Sequence, residues 1–178
     1  MKYLAKMKGA GQSPPRVGTA EVIWSWLGAF LGIGAVGFLH AQMLQGVGRG
    51  LLIGSFGASA VLVYGAPKSP LAQPRNLMGG HVLSALVGVA VWQLLPGQVP
   101  LAGALAVATA IALMHLTKTL HPPGGATALI AVIGGDAIHS LGYLYALLPV
   151  GMGAVVMLLV GLIFNNLAKG RRYPEFWL

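Results

Sequence analysis

The chain has 178 residues, of which 56% are hydrophobic and 8% are charged, and its formal net charge is +8. A soluble domain is about a quarter charged because its surface faces water, so this composition excludes that class and predicts one integral membrane domain over residues 1–178. The basic residues are scattered between apolar runs, which argues against nucleic-acid binding, and the absence of cysteine excludes disulfides and thiolate metal sites.

Residues 1–20 contain no apolar core before their Gly/Pro break, so they predict a short cytoplasmic arm and not a signal peptide. Six apolar segments follow. A helix needs about 20 residues to cross the hydrocarbon core, and the second and fifth segments fall short of that length. We therefore predict an all-α, polytopic membrane helical bundle with two short or broken central helices and a cytoplasmic tail at residues 169–178. The six segments are Val22–Leu44, Leu51–Ala66, Met78–Leu95, Leu101–Leu116, Gly124–Gly135 and Leu141–Leu167.

The charges of the loops predict the orientation. If all six segments cross and the N-terminus is inside, ten of the eleven basic residues lie on the cytoplasmic side and only Arg49 lies outside. The loops PGQVP and GGDAIHS, which would face outward, contain no Lys or Arg. Because cytoplasmic loops carry the excess of these residues, we predict a multi-pass protein of the cell's inner or plasma membrane with both termini cytoplasmic. Four long spans with the two short segments dipping in and out are the alternative; they also keep both termini inside but place the loops differently.

The two short segments contain similar sequences, GASAVLVYG from Gly57 and GATALIAVIG from Gly125, at an offset of 68 residues. Each is the middle segment of three, so the chain divides into repeats at residues 21–95 and 101–168. An odd number of segments per repeat reverses the direction of the second repeat, as in inverted-repeat transporters. We predict two inverted three-segment repeats related by an axis in the membrane plane.

The stretch LHPPGGATALIAVIGG breaks its own helical pattern. Proline lacks an amide hydrogen and suits the first turn of a helix, so Pro122 and Pro123 predict a helix start. The glycines that follow permit close approach of backbone or ligand. A helix that begins within the membrane presents free N–H groups and the positive end of its dipole, which together favour an anion. Irregular backbone at this depth is tolerated only where protein or a watery cavity satisfies it, so the break predicts a permeation site.

These features place a candidate anion site between the starts of the two short helices, with backbone amides and hydroxyl groups as donors. The substrate-binding candidates are Ser55, Gly57, Ala58, Ser59, His121, Gly124, Gly125, Ala126 and Thr127. Four further residues are candidates for the pathway entrance, namely Arg49, His81, Lys118 and Thr119. Each has an alternative role: hydroxyls bond to their own backbone, histidines satisfy local structure, and basic residues mark topology or contact lipid headgroups.

The sequence argues against enzyme chemistry. Its acidic residues, Glu21, Asp136 and Glu175, all lie near segment ends, and no carboxylate pair, nucleophile motif or phosphate loop is present. The five histidines show no metal-ligand spacing, so we predict no metal and no cofactor. The lack of acidic residues within the apolar segments also argues against a cation-coupled pump.

Three stretches resemble the HPP family of integral membrane proteins, which is named for the His-Pro-Pro at residues 121–123. They are KTLHPPGGATALIAVIGG, GSFGASAVLVYGAPKSPLAQPRNLMGGHVLSALVGV, and the NN and RRYP of the C-terminal part. Together they extend over most of the chain from Trp24 to Pro174. The family is usually described with four spans, whereas this chain shows six segments, and the appended regulatory domains and transit peptide of some members are not seen in it.

Plant members of this family are associated with nitrite transport into chloroplasts, so the resemblance implies a transporter or channel for a small monovalent anion, with nitrite first. The residues themselves select only charge sign and small size. A channel for a small neutral solute and a non-transporting membrane scaffold or sensor are the alternatives. The expected partners are the anion, the lipid bilayer and a second copy of the chain, with a dimer favoured among homo-oligomers.

Overall fold

The computed structural model describes residues 4, 6, 7, 11–43 and 47–178, and of residues 43 and 47–53 it describes the backbone only. Every regular element in these ranges is helical, which confirms the all-α prediction. The helices are α1 (Thr19–Met43), α2 (Val47–Ala60), α3 (Pro74–Leu94), α4 (Val99–Leu116), α5 (Pro122–Ile133), α6 (Asp136–His139) and α7 (Met152–Leu167). Val61–Gly65 extends α2 as a π-helical turn, and Ala146–Gly151 precedes α7 in the same conformation.

Four helical stretches are long and apolar enough to cross a membrane, and two apolar helices are shorter. The long stretches are Thr19–Gln42, Pro74–Leu94, Val99–Leu116 and Ala146–Leu167; the shorter helices are Gly54–Gly65 and Pro122–Ile133. The predicted short fifth segment is thus present, whereas the apolar stretch Gly54–Gly65 is part of a helix that begins at Val47. The twelve residues of α5 extend about 18 Å at 1.5 Å per residue, well short of the hydrocarbon thickness.

The first short segment differs from the prediction in one respect. Gly57 and Ala58 were expected at the start of a helix, but α2 begins at Val47 and passes through both of them. The expectation was wrong because no residue of α2 lacks an amide hydrogen, so nothing interrupts its hydrogen bonds, whereas Pro122 and Pro123 force a start on α5. Inverted symmetry between the two halves stays a prediction.

One end of the bundle is basic. Arg171 in the C-terminal tail pairs with Glu21 at the start of α1 at 2.8 Å and donates to the Tyr64 carbonyl at 3.2 Å. Arg75 at the start of α3 donates to the carbonyl of Thr117 at the end of α4 at 2.7 Å. The residues that we call the basic end therefore include Lys68, Arg75, Lys118, Lys169, Arg171 and Arg172.

The opposite end is formed by the other connections. The ring of Trp92, near the end of α3, stacks on His139 with 3.9 Å between centroids. Nε2 of His40, near the end of α1, lies 2.9 Å from the Pro149 carbonyl oxygen. The six apolar segments therefore run alternately between the two ends, and both described tails lie at the basic one.

Helices α3 and α5 cross closely at the centre because glycines line their contact. A Cβ at Gly88 would lie 2.5 Å from the Ala128 carbonyl oxygen, and a Cβ at Gly124 would lie 2.8 Å from the Gly80 carbonyl oxygen. One apolar cluster on α1, α2 and α7 packs against this pair from one side. A second cluster, which includes α4, packs from the other side. The backbone of α5 therefore lies directly against α3 at this crossing.

Candidate functional site

Five buried side chains form a continuous chain of hydrogen bonds inside the bundle. Ser55 and Ser59 come from α2, His81 from α3 and Thr127 from α5, and His121 directly precedes α5. Ser55 Oγ lies 2.7 Å from Thr127 Oγ1, which lies 2.7 Å from His81 Nδ1. Ser59 Oγ lies 2.7 Å from His81 Nε2 and 2.9 Å from His121 Nε2. All five are at most 1% exposed, and we call this set the polar chain.

Local sequence explains how these side chains come together. Ser55 and Ser59 are four residues apart, so they share one face of α2. His121 has extended backbone (φ −140°, ψ 104°), because it precedes a proline and caps α5. Its side chain reaches α3 because Gly80 has none; a Cβ there would lie 2.5 Å from the His121 Cβ.

The positions of the hydrogens in the polar chain follow from the partner of His121, which lies at one end of it. Nδ1 of His121 lies 2.8 Å from the Leu71 carbonyl oxygen, which can only accept, so Nδ1 carries the hydrogen. In a neutral ring Nε2 is then an acceptor and receives the hydroxyl hydrogen of Ser59. The Ser59 oxygen in turn accepts from Nε2 of His81. These assignments leave Nδ1 of His81 as an acceptor.

The same reasoning gives the positions of the hydrogens in the rest of the polar chain. Thr127 donates its hydroxyl hydrogen to Nδ1 of His81, and Ser55 donates to the Thr127 oxygen. The carbonyl oxygen of Pro123 lies 3.1 Å from Ser55 Oγ and 3.3 Å from Thr127 Oγ1. With both rings neutral, every hydroxyl and imidazole hydrogen of the polar chain is already used. The site is therefore closed in this conformation.

Aromatic rings separate the polar chain from the opposite end. The Phe56 ring stacks on His81 with 4.6 Å between centroids, and its centroid lies 5.5 Å from that of His40. His40 donates through Nε2 to the Pro149 carbonyl, and its buried Nδ1 has no hydrogen-bond partner. Phe56 itself is fully buried. Phe56 therefore contacts both histidine rings, and His40 has no hydrogen bond to the polar chain.

The predicted substrate shell is divided between two sides of α5. Ser55, Ser59, His121 and Thr127 are together in the polar chain, as expected. Gly125, two residues before Thr127, lies about 200° away around the helix. It borders a groove of about 530 Å³ whose other lining residues are Val107, Ile111, Met114, His115, Leu120, Pro122, Ala126 and Leu129.

The other small residues of the predicted shell also face away from the hydroxyls or pack against helices. Ala58 and Ala126 are exposed and line a smaller groove of about 270 Å³ between α2 and α5. Gly57 is half-buried, with open space at its Cβ position. Gly124 is buried against Gly80 and supplies close packing.

The start of α5 offers fewer amide donors than its dipole suggested. Pro122 and Pro123 occupy the first two positions and have no N–H. The third amide, that of Gly124, donates to the His121 carbonyl at 2.8 Å. Three of the first four positions therefore provide no amide to an anion, and the expectation of a free helix terminus was wrong. The prolines that mark the helix start also remove the donors that make most helix starts attractive to anions.

The predicted entrance residues lie in different places. Lys118 is exposed at the basic end with φ 57°, and Thr119 beside it bonds to the Thr117 hydroxyl at 2.8 Å. The side chain of Arg49 lies outside the described residues. His81 was expected at the entrance, but it is fully buried at the centre of the polar chain, so that placement was wrong.

Sequence reasoning named Ser59 and Thr127 but missed the central position of His81, for which the sequence had one signal. Gly79 and Gly80 directly precede it, and paired glycines in a membrane helix mark close approach of another segment. Tyr145 also contributes, since its hydroxyl donates to the Thr127 carbonyl at 3.0 Å. Nothing in the sequence pointed to Tyr145 or to the Leu71 carbonyl. In the part of the chain that the structure describes, no three His, Asp or Glu side chains are grouped to hold a metal ion.

Comparisons with known proteins agree with the membrane assignment. Residues 14–174 match the family described as "HPP, transmembrane region". Two transmembrane proteins of Dictyostelium discoideum are 48% identical over 180 aligned residues and 44% identical over 182. Each alignment includes 99% of this chain, which spans 58% and 64% of the lengths of those relatives. No solved structure matches the chain.

Proposed function

The chain belongs to the HPP transmembrane family, and on that premise we propose that it is a transporter or channel for a small monovalent anion, with nitrite as the first candidate. Nitrite comes from the resemblance to the plant members. The sign of the charge comes from the residues at the centre of the bundle. We propose that these residues let the anion pass and that they do not catalyse a reaction.

The observation that carries the proposal is the composition of the polar chain. It contains only hydroxyl and imidazole groups, which can turn hydrogens toward an anion, and no carboxylate that would attract a cation. The whole chain has three acidic residues. Glu21 is paired with Arg171, and Asp136 and Glu175 are exposed. A cation at the centre would therefore meet no negative partner, whereas an anion would meet several donors.

Passage requires the polar chain to open, because all of its hydrogens are used. Two serines of α2 bond to the second half: Ser55 bonds to Thr127 and to the Pro123 carbonyl, and Ser59 bonds to His121. An anion that takes the place of the Ser55–Thr127 bond accepts the hydroxyl hydrogens of these two residues. We infer that α2 separates from α5 during transport, with the anion between them.

The route begins at the basic end. His121 lies at the start of α5, and Thr127 lies about 9 Å deeper along the helix. Exposed Lys68 and Lys118 raise the local concentration of anions at this end without entering the site. We propose that this end and both tails face the cytoplasm across the cell membrane, as the loop charges predict. A dimer also stays a proposal.

Flux measurements in proteoliposomes test the function. We expect purified protein to admit nitrite much faster than urea or glycerol, and Ser59→Ala to abolish nitrite flux because it removes the hydroxyl between the two rings. Ser84→Ala is the matched control, since this buried α3 serine has the Met114 sulfur as its partner at 3.7 Å and lies outside the polar chain. Equal flux of anions and neutral solutes would favour a neutral-solute channel, and no flux from folded protein would favour a scaffold.

A further inference from the structure

In the neutral polar chain every hydroxyl and imidazole hydrogen is bonded within the protein. One added proton releases one of these hydrogens. A proton on Nε2 of His121 makes that atom a donor, so Ser59 Oγ then accepts from both rings, at 2.7 and 2.9 Å. The Ser59 hydroxyl hydrogen is released. The nearest other acceptor is the carbonyl of Ser55 at 3.5 Å, a weak bond at the limit of hydrogen-bond length. The released hydrogen is therefore available to a ligand.

From this geometry we propose that the protein binds its anion together with one proton, which His81 and His121 hold on the polar chain, and that the two cross the membrane as a pair. This inference rests on the proposed anion transport and specifies its mode. One N–H bond forms when the proton binds and breaks when it leaves with the anion. The net transported charge is zero.

The surroundings supply no counter-charge for the added proton. The titratable neighbours are Tyr145, which donates to the Thr127 carbonyl, and His40, whose ring contacts that of Phe56. Among the described residues, no Asp, Glu, Lys or Arg side chain is hydrogen-bonded to the polar chain. A lone buried charge is costly, whether it is the imidazolium or the anion. Each is stabilised only by the other, so their binding is coupled.

The spacing of the rings limits the added charge to one. The centroids of His81 and His121 are 5.0 Å apart, and both rings contact the same serine oxygen. Two imidazolium ions at this separation would repel strongly in a buried setting. If the proton is instead on Nδ1 of His81, Thr127 Oγ1 accepts from that ring, and the Thr127 hydroxyl hydrogen turns to the Pro123 carbonyl oxygen at 3.3 Å. The pair therefore acts as one site for a single proton.

Transport with a pH indicator inside the vesicles tests the coupling. Nitrate is the main probe because its acid form is negligible near neutral pH, whereas nitrous acid crosses bilayers unaided; protein-free vesicles give the background for nitrite. We expect the vesicle interior to acidify in step with nitrate uptake, with one proton per anion. Uptake should rise as the outer pH is lowered and should not respond to a membrane potential imposed with potassium and valinomycin.

Two outcomes separate this inference from the proposed function. Anion uptake that follows the imposed potential and is independent of pH would overturn proton coupling and leave anion transport standing. Absence of anion uptake by folded protein would overturn anion transport itself. A second readout needs no transport: nitrate added to detergent-solubilised protein in a pH-stat should cause uptake of one proton per bound anion, and binding without proton uptake would refute the coupling.

Histidine variants locate the proton. His81→Gln and His121→Gln keep a hydrogen-bonding side chain that cannot accept a proton, so we expect nitrate-induced proton uptake to fall by about tenfold or more in each. His115→Gln is the matched control, because His115 is exposed and lies on the groove side of α4. Full proton uptake in both folded variants would show that the polar chain is not the proton site. If neither variant folds, the pH-stat result on the unmodified protein decides the question.

Discussion

The hydroxyl groups of Ser55 and Thr127 lie 2.7 Å apart, although 72 residues separate them in the chain. Both also lie within hydrogen-bond distance of one acceptor, the Pro123 carbonyl oxygen, at 3.1 and 3.3 Å. Two hydroxyls and a carbonyl thus join the two halves of the protein, in addition to the Ser59–His121 and His81–Thr127 hydrogen bonds. Any passage along the polar chain has to break this junction, so its strength affects both stability and transport.

Replacing Thr127 by valine should destabilise the protein with little change in shape. The variant removes the hydroxyl and leaves Nδ1 of His81 buried without a donor, which costs about 1–3 kcal/mol. We expect a lower thermal midpoint in detergent. Thr117→Val is the control, since that hydroxyl is exposed and its partners, the Leu113 carbonyl and the Thr119 hydroxyl, lie outside the polar chain. Equal midpoints for the two variants would mean that the polar chain contributes nothing to stability.

Adjacent glycines on α5 should respond oppositely to alanine. A Cβ at Gly124 would lie 2.8 Å from both the Gly80 carbonyl oxygen and Ser84 Oγ, so Gly124→Ala should push α3 and α5 apart, lowering both stability and nitrite flux. A Cβ at Gly125 meets its nearest atom, on Val107, at 3.7 Å. Gly125→Ala should therefore keep normal flux and gain up to about 1 kcal/mol from helix propensity.

The nitrite flux and thermal midpoints of Gly124→Ala and Gly125→Ala also distinguish two routes for the anion. Gly125 borders the external groove and not the polar chain. If folded Gly125→Ala or Gly125→Val protein loses nitrite flux, the anion travels along the groove, and the route through the polar chain is wrong.

Removing the charge of Lys118 should slow nitrite flux without stopping it. This exposed side chain is at the basic end and outside the polar chain, so its effect on an anion is long-range attraction. Salt screens such attraction, with a Debye length of about 30 Å at 0.01 M and about 8 Å at 0.15 M. We expect Lys118→Gln to be slower than Lys118→Arg at low salt and equal to it at high salt. A salt-independent defect would indicate direct contact with the anion.

Cysteine labelling should test the orientation. The chain has no cysteine, so each introduced thiol reports without background. Cysteines at Gln98 and Ser140 should react from outside the cell, and those at Gln12 and Lys169 only after the membrane is opened; all four positions are exposed. The stacking of Trp92 on His139 places the first pair at one end of the bundle. If a cysteine in place of Gln98 is labelled from the cytoplasm, the orientation is the reverse of the predicted one.

Several features could be predicted from the sequence because they depend on local physics. Low charge and long apolar runs require a membrane, and proline without an amide hydrogen predicts where α5 begins, at Pro122. The grouping of Ser55, Ser59, Thr127 and His121 was also predicted, since the similar short segments placed them near one another. The membrane helices and the start of α5 needed only local sequence and composition, whereas the grouping used the similarity of two segments at an offset of 68 residues.

The tertiary structure alone decided which side chains face one another. Each residue turns about 100° around a helix, so Gly125 and Thr127 are neighbours in sequence and lie on nearly opposite sides of α5. His81 is central because the adjacent Gly80 lets His121 pack against α3, although Gly80 and His121 are far apart in the chain. Whether a hydroxyl is free for an anion depends on its partner, and the partners of Ser59 are rings on other segments. The sequence determined the membrane helices and the polar residues within them, whereas long-range packing determined that these residues form one closed chain.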